Sequence, residues 1–174
     1  IGGYWHGNEP CHHVAYLYNY LGEPWNCQKW VRQIASRFYG NKPDALSGND
    51  DCGQMSAWYM FNCLGFYPVA PSSNIYNFGS PCAEGVEVRL SNGKILKITT
   101  ENWSEENLYV REVYLNGTRY AKSYLTYDDI KEGAEIHYVM ANRPNYSRGK
   151  AKSALPPSLS GEKKTLKYIP IINQ

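Results

Sequence analysis

The sequence predicts an α+β fold, in which a helical first part is followed by a β-rich second part. Three observations predict it: apolar residues at helical spacing early in the chain, an alternating pattern after Pro71, and two Asn-Gly dipeptides between alternating runs. Helices and strands that are segregated along a chain favour two distinct structural parts. We therefore predict helices in residues 1–70, a β-rich segment in residues 71–145, and a polar loop or tail in residues 146–174.

Three helices are predicted in the first part. Apolar residues recur at helical spacing over residues 10–22, 24–40 and 51–65. Pro10 and Pro24 suit the first turn of a helix, and a glycine stands at the end of each segment. The helices are therefore short and are joined by loops rich in turn-forming residues.

The strands are predicted from alternation. Residues 86–100 and 108–120 each contain an Asn-Gly dipeptide between alternating runs, which is the strongest short signal for a β-hairpin. Residues 134–141 form a further strand, and residues 124–134 favour a short helix or turn before it. From residue 142 onward the chain is polar and rich in Pro, Gly and Ser, which predicts a loop or tail.

The composition stands out in its aromatic residues. There are 16 Tyr and 5 Trp but only 4 Phe, and Tyr and Trp combine an apolar face with a polar edge. This bias is compatible with a sugar-binding surface and equally with a Tyr-rich core. A net charge of +2 gives no argument for nucleic acid, and no apolar run is long enough to span a membrane.

The cysteines and the start of the chain give weaker signals. Five dispersed cysteines have no CxxC spacing and do not resemble a disulfide framework, so one bridge is compatible with the sequence and none is required. The chain starts "IGGYWHGNEP" without Met, which favours a processed chain or a fragment. The absence of a targeting signal from the sequence therefore says little about where the protein is located.

Two polar clusters stand apart from the periodic pattern, and each lies just before a predicted helix. Loops at the same end of successive helices meet in space, so we expect the two clusters to face each other. Their carboxylate and amide oxygens suit a hard cation such as calcium. The first cluster holds His6, Asn8, Glu9, His12 and His13, and the second holds Asn49, Asp50, Asp51 and Gln54.

Other interpretations of these clusters stay open. Asp51 with Gln54 three residues later matches a capping box, although two adjacent aspartates exceed what capping requires. Cys11 beside His12 suggests zinc or a thiol nucleophile, but the paired spacing of zinc ligands is missing. Glycoside hydrolysis is the chemistry that combines two carboxylates, aromatic rings and a cation.

Three stretches, "GNEPCHHVAYLYNYLGEPW", "GNDDCGQMSAWYMFNCLGFYPVAP" and "YNFGSP", resemble the C-terminal part of glycoside hydrolase family 92. The resemblance covers about residues 3–145. It implies a calcium-dependent, inverting, exo-acting α-mannosidase, often specific for α-1,2 linkages. The family pairs a β-sandwich with an (α/α)6 barrel. This chain would hold helical hairpins from the end of the barrel, with active-site loops, followed by a β-rich C-terminal segment.

The resemblance also implies roles for individual residues. Asp51 is expected to be the general base, with Asp50 as its neighbour or the alternative. Asn8 and Glu9 are expected at a Ca²⁺ site that holds the 2- and 3-hydroxyls of mannose. Substrate contacts are expected from Trp5, His12, His13 and Gln54.

The general acid is expected upstream of this chain, so the chain alone is expected to be inactive. Its expected partners are mannose-containing glycans and the remainder of the parent chain. The expected location is periplasmic, cell-surface or secreted, in a bacterium. The alternative is a non-catalytic carbohydrate-binding or scaffold domain of the same ancestry.

Overall fold

The N-terminal part of the computed structural model, which describes residues 3–158, is built from short helical segments. Two 3₁₀ segments, Glu9–Cys11 and Val14–Asn19, precede helix α1, Pro24–Phe38. Helix α2, Gln54–Leu64, follows a long loop. The fold is therefore a mixed α+β fold that begins with helices, as predicted.

The first predicted helix is wrong. The apolar residues that suggested it, Val14, Leu17 and Leu21, are 40–71% exposed. The buried face of the 3₁₀ segment holds Tyr16 and Asn19 instead. The amide of Asn19 donates to the backbone oxygen of Phe78 at 2.8 Å, which fixes the segment against the sheet region. Tertiary contacts thus override the helical spacing in the sequence.

The other two helices are close to their predicted bounds. Pro24 opens α1, whose buried face carries Val31 and Ile34. Helix α2 is capped by Gly65 in the left-handed region, as predicted, with φ of 86°. It begins three residues later than predicted, because Asp51–Gly53 forms a separate 3₁₀ turn.

The strands of residues 3–158 form two sheets. In chain order they are β1 Phe66–Ala70, β2 Ile75–Phe78, β3 Gly85–Arg89, β4 Ile95–Glu101, β5 Tyr109–Leu115, β6 Thr118–Arg119, β7 Tyr124–Thr126 and β8 Ala134–Ala141. The smaller sheet is antiparallel with the order β1-β2-β7, and the larger has the order β3-β4-β8-β5-β6. In the larger sheet only the β4–β8 pair is parallel.

Both predicted hairpins are confirmed. Gly93 lies in the β3–β4 turn, and Asn116 and Gly117 form the β5–β6 turn, all with positive φ. The predicted strand over 134–141 is confirmed as β8, and the predicted short helix is confirmed as α3, Tyr127–Ile130. Asn-Gly adopts positive φ at little cost, which is why this signal was reliable.

Strand β1 differs from the prediction, because it lies within residues 1–70, where only helices were expected. Gly65 reverses the chain directly into the strand, and Phe66 and Tyr67 pair with Phe78 and Asn77 of β2. Pro68 lies within this strand, and a proline is tolerated in an edge strand such as this one. The division of the chain at residue 70 stays a prediction.

Two apolar clusters form the core of the part of the chain that the structure describes. One lies under the sheets and includes Phe66, Phe78 and Tyr138, and the other joins α1 and α2 around Trp58. Phe61 packs against both clusters, so the helices and sheets are joined through α2. The site residues described below lie on the helical cluster.

The end of the described chain is irregular. Residues 142–158 form bends, a turn and one 3₁₀ segment, Lys152–Ala154, and the assignment of residues 146–174 to a loop or tail stays a prediction. The remainder of the predicted tail, residues 159–174, lies outside the described residues. Within residues 3–158 no helix is both long and apolar enough to cross a bilayer.

Candidate functional site

The two polar loops meet at a pair of glycines, which confirms the prediction that they face each other. A Cβ on Gly7 would collide with the backbone oxygen of Ser47, and a Cβ on Gly48 would lie 2.7 Å from the backbone oxygen of Gly7. Only glycine allows the two backbones to approach this closely. The contact holds the residues beside Gly7 next to those that lead into Asp50 and Asp51.

Below this contact lies a hydrogen-bonded chain centred on His6, which is fully buried. The Tyr39 hydroxyl donates to the backbone oxygen of Met55 at 2.9 Å, so it accepts the bond of 2.6 Å from Nε2–H of His6. Nδ1 of His6 then accepts from the Tyr4 hydroxyl at 2.8 Å. Because one of these hydrogen-bond partners must accept and the other must donate, His6 is fixed as the neutral tautomer with its proton on Nε2.

The tautomer of His12 is fixed in the same way, by its hydrogen-bond partners. Its Nε2–H donates to the backbone oxygen of His6 at 3.0 Å, since a carbonyl can only accept. Its Nδ1 accepts from the amide of Gln54 at 3.0 Å, and the same amide nitrogen donates to the Tyr67 hydroxyl at 3.0 Å. Trp58 Nε1–H donates to the backbone oxygen of His12 at 3.1 Å. We call these buried and half-buried residues the inner network: Tyr4, His6, His12, Tyr39, Gln54, Trp58 and Tyr67.

Burial keeps both imidazoles of the inner network uncharged. It lowers the pKa of His6 to about 3, and the neighbouring His12 lowers it further in the same direction. The pKa of His12 is also lowered by burial, although its bond to His6 and the charge of Glu9 act in the opposite direction. The rings stack with centroids 4.5 Å apart, which is favourable only while both stay neutral.

The two adjacent aspartates have different environments. Asp50 Oδ1 accepts from the backbone N–H of Ser56 at 3.0 Å, and Oδ2 accepts from the Ser56 hydroxyl at 2.6 Å. The Ser56 hydroxyl, followed by its N–H, lowers the pKa of Asp50. Within residues 3–158, the carboxylate of Asp51 has no hydrogen bond or ion pair, and the residue is exposed.

The predicted capping box between Asp51 and Gln54 does not form. Helix α2 begins only at Gln54, and Cys52 and Gly53 before it lie in the left-handed region with φ of 54° and 75°. This bend carries Asp51 away from the helix start. Asp50, four residues before Gln54, instead accepts the backbone N–H and the hydroxyl of Ser56 and so caps the first turn of α2. Capping therefore accounts for Asp50 and leaves Asp51 unexplained as a structural residue.

The remaining site residues lie at the surface. Trp5 is 68% exposed, and Asn8 is exposed with its amide 3.6 Å from Sγ of Cys11. Glu9 and His13 are half-buried, and Glu9 begins the first 3₁₀ segment. We call the exposed and half-exposed set the rim: Trp5, Asn8, Glu9, His13, Asp50 and Asp51.

The rim fits a calcium ion in donor type but supplies few ligands. Asn8 and Glu9 offer an amide and a carboxylate oxygen on consecutive residues, which are the oxygen donors that calcium prefers. Calcium binds six to eight oxygens. In the part of the chain that the structure describes, no three His, Cys, Asp or Glu residues are grouped as a metal site. Further ligands would come from water, substrate or the rest of the parent chain.

Sequence reasoning missed most of the inner network. Tyr4, Tyr39 and Tyr67 lie far apart in the sequence, and Trp58 falls within the third predicted helix with no separate functional signal. They converge because α1 ends beside α2 and β1 returns along it. The only sequence signal was the excess of Tyr and Trp over Phe.

The site consists of a buried, aromatic, hydrogen-bonded inner network beneath a rim with carboxylates and an exposed tryptophan. Carboxylates and aromatic rings are the groups that glycoside hydrolysis uses. The sequence model of the Glycosyl hydrolase family 92 catalytic domain matches residues 1–142. The chain belongs to this family, which confirms the resemblance seen in its motifs.

Solved structures agree with this assignment. The chain is similar to a family GH92 α-mannosidase of Bacteroides thetaiotaomicron in complex with mannoimidazole, with 70% identity, a TM-score of 0.92 and 97% of the chain covered. It is also similar to a GH92 inverting mannosidase of the same species, with 38% identity, a TM-score of 0.85 and 91% of the chain covered. Each match spans 22% of the longer protein.

A curated relative is an uncharacterized secreted glycosidase of Arthroderma benhamiae. It is 27% identical over 156 residues, which cover 88% of this chain and 20% of that protein. The chain thus spans about a fifth of the length of its relatives.

Proposed function

We propose that this chain is part of an inverting, calcium-dependent, exo-acting α-mannosidase that hydrolyses terminal α-1,2-linked mannose from glycans. The observation that supports the proposal is the glycine contact between the two loops, which holds the segment that leads into Asp51 against the segment that carries Trp5 and Glu9. The matched relatives include an α-mannosidase bound to mannoimidazole and an inverting mannosidase.

Asp51 is the proposed general base. Its carboxylate is exposed and has no partner among residues 3–158, so it is free to accept a proton from water. Asp50 differs because both of its oxygens are bound to Ser56. An inverting mechanism requires that water attack from the face opposite the leaving group, with the two catalytic carboxyl groups roughly 6.5–9.5 Å apart.

The proposed calcium ligands from this chain are Asn8 and Glu9. A bound calcium ion would supply electrostatic stabilisation and hold two neighbouring hydroxyls of the sugar. The chain's own contribution is to fix the backbone that carries these side chains: the Cys11 N–H donates to the backbone oxygen of Asn8 at 2.9 Å, and the His12 N–H donates to that of Glu9 at 2.9 Å. The bond from His12 ties Glu9 of the rim to the inner network.

The two histidines receive different proposed roles. Both nitrogens of His12 are occupied by protein partners, so its role is to position Gln54 and the backbone beneath the rim. His13 is half-buried and keeps its proposed role as a sugar contact. Trp5 offers an exposed indole, on which the apolar face of a sugar can stack.

The remainder of the parent chain completes the proposed enzyme. We propose that α1 and α2 are helices from the end of an (α/α)6 barrel, and that the general acid lies in the preceding chain. Leu21 and Met60, 71% and 68% exposed, are surfaces that such neighbouring helices would cover. A secreted relative and two bacterial relatives favour a periplasmic, cell-surface or secreted location.

The test is mannose release from α-1,2-mannobiose by the full-length parent, with and without a calcium chelator, with the released anomer identified by NMR. We expect release of β-mannose that stops with the chelator and returns when calcium is added. Release of α-mannose would contradict inversion, and release unaffected by the chelator would contradict the calcium ligands.

A second candidate is a non-catalytic carbohydrate-binding domain of the same ancestry. The exposed Trp5 favours it, because such a surface binds sugar whether or not a general acid stands opposite. This candidate predicts mannose binding by the full-length parent without hydrolysis. The isolated chain is expected to release no mannose in either case, and release that Asp51→Asn abolishes would contradict that expectation.

A further inference from the structure

Arg148 is a buried cation in the β-rich part of the molecule. The residue is 9% exposed, and its guanidinium lies over the ring of Phe78, 5.5 Å from the ring centroid. Nη2 donates to the backbone oxygen of Lys122 at 3.0 Å, but Nε and Nη1 are buried without a hydrogen-bond partner within residues 3–158. The ion pairs of these residues do not include Arg148. The described chain therefore compensates the charge of Arg148 only in part.

The surrounding backbone holds Arg148 in this position. Asn145 Oδ1 accepts from the backbone N–H of Arg148 at 3.3 Å, and the amide of Asn145 donates to the backbone oxygen of Arg111 in β5 at 3.0 Å. On the other side, a Cβ on Gly149 would lie 2.9 Å from Cγ of Pro24, the first residue of α1. The segment is thus fixed between β5 and α1, and the guanidinium is fixed with it.

This burial is unfavourable for the charged group. It lowers the pKa of Arg148 from 12.5 to about 10, and the positive charge of Arg119 acts in the same direction. A group with a pKa of about 10 is still protonated at neutral pH. Buried charges in proteins are paired with opposite charges, because an unpaired one loses its hydration without compensation. An opposite charge beside Arg148 would therefore stabilise it.

A cavity beside Arg148 has the volume and the charge for such a partner. It measures about 260 Å³ and is lined by Arg148, by Arg111 of β5 and by Arg119 of β6, of which the last two are exposed. A water molecule takes up about 30 Å³ in the liquid, so the cavity has room for an ion of several atoms. The lining also contains Glu112, whose carboxylate accepts from Arg119 at 3.5 Å and from the Tyr114 hydroxyl at 2.6 Å. Three arginines and one glutamate leave two positive charges in the lining without a negative partner.

We propose that Arg148, with Arg111 and Arg119, forms a binding site for a tetrahedral oxyanion, namely a sulfate or phosphate group. A guanidinium offers several N–H donors in one plane, which is the arrangement that binds such oxygens. The two negative charges of sulfate equal the excess of the lining, whereas a carboxylate would balance only one of them. Arg148 forms the buried side of the site, and Arg111 and Arg119 hold the anion from the exposed side. The anion is a free ion or a group carried on a sugar.

The oxyanion site is separate from the candidate site. No residue of the rim or of the inner network lines its cavity. Binding of an anion there is measured without any hydrolysis, so the test gives the same answer whether or not the proposed mannosidase activity is found.

The test is calorimetric titration of the full-length parent with sodium sulfate, at an ionic strength kept constant with sodium chloride. The constant ionic strength removes the general effect of screening. We expect saturable binding by the wild type and a Kd that rises at least about tenfold in Arg148→Gln, because charge-assisted hydrogen bonds in a buried position are lost. Arg119→Gln should raise the Kd only about two- to fivefold, since an exposed charge contributes less.

Titration with mannose 6-sulfate distinguishes the two sources of the anion. Tighter binding of mannose 6-sulfate than of sulfate, with the same loss in Arg148→Gln, would support a group carried on a sugar. Binding of sulfate alone would support a free ion. Unsulfated mannose is the control ligand, and its binding should not change in Arg148→Gln.

Matched variants complete the experiment. Arg89→Gln removes an exposed arginine of β3 and is expected to leave sulfate binding unchanged. The proposal is overturned if the wild type binds neither sulfate nor mannose 6-sulfate, as it would if a carboxylate of the parent chain filled the cavity. It is also overturned if Arg148→Gln binds them as tightly as the wild type does. If Arg148→Gln fails to fold, the double variant Arg111→Gln/Arg119→Gln, which changes exposed residues only, decides: unchanged affinity would overturn the proposal.

Discussion

The inner network and the rim are adjacent in space but differ in how completely the chain satisfies them. In the inner network His6 and His12 have partners at both ring nitrogens, and the Trp58 N–H is also bonded. In the rim, Asp51 has no partner within the described residues, and Trp5 is largely exposed. The polar groups of the inner network are therefore hydrogen-bonded within this chain, whereas the rim contains groups that have no partner among the described residues.

The difference indicates that the inner network stabilises the site, whereas the rim carries the groups that are available to a ligand or substrate. A buried polar network tolerates few changes, because an unpaired donor or acceptor there loses its full hydration. Exposed carboxylates have no such penalty and are available for a ligand or for the rest of the parent chain. We therefore expect substitutions in the inner network to change stability first, and substitutions in the rim to change activity first.

The largest expected effect is on the rim. Asp51→Asn in the full-length parent should lower kcat about 10²- to 10⁴-fold, the range for a lost general base, with little change in melting temperature. Mannose release and thermal unfolding measure the two quantities. Asp50→Asn is the matched control, since it weakens the bond to Ser56 and should mainly lower the melting temperature. If Asp50→Asn abolished activity while Asp51→Asn kept it, the assignment of the base would be reversed.

The next effect is on the inner network. Trp58→Ala removes a fully buried indole that packs on Tyr39 and His6, and it should lower the free energy of unfolding by about 3–5 kcal/mol. Denaturant unfolding of the parent measures the loss. Trp5→Ala is the matched control at 68% exposure, and it should raise KM while leaving stability nearly unchanged. Equal losses of stability in the two variants would remove the distinction between the regions.

A third effect is the pH dependence of the inner network. Folding lowers the pKa of His6 from 6.5 to about 3, so the unfolded state binds more protons between these values. The contribution of His6 to stability is therefore present above pH 6.5 and is lost as the pH falls towards about 3. In His6→Gln, unfolding should take up as much as about one proton fewer in this window, measured from the pH dependence of the unfolding free energy. An unchanged slope would show that His6 is not held neutral by the fold.

The sequence predicted the features that depend on local chemistry. Both hairpins followed from Asn-Gly turns, because the positive φ that such a turn needs is a property of those two residues. The meeting of the two polar loops followed from connectivity, and Gly7 and Gly48 are the residues that allow it. The identity of Asp51 as the free acid did not follow, since Asp50 and Asp51 have the same chemistry in the sequence.

The missed features depend on distant contacts. Val14 and Leu17 suggested a helical face, but Tyr16 and Asn19 are the buried residues because the sheet region offers them partners. The convergence of Tyr39 with the inner network depends on where α1 ends relative to α2, which spacing within one helix does not specify. The neutral state of His6 likewise depends on burial by residues from three separate segments.

The smallest expected effect lies where the two regions join. Gln54→Ala removes the donor to Nδ1 of His12 and to the Tyr67 hydroxyl, and should lower the free energy of unfolding by about 1–3 kcal/mol. Tyr67→Phe keeps the bond to His12 and removes only the other one, so it should lower stability less. Because His12 supports the backbone beneath Glu9, Gln54→Ala should also lower kcat/KM several-fold more than Tyr67→Phe does. Equal kcat/KM values in the two variants would show that Gln54 serves stability alone, and the inner network would then be a core rather than a support for the rim.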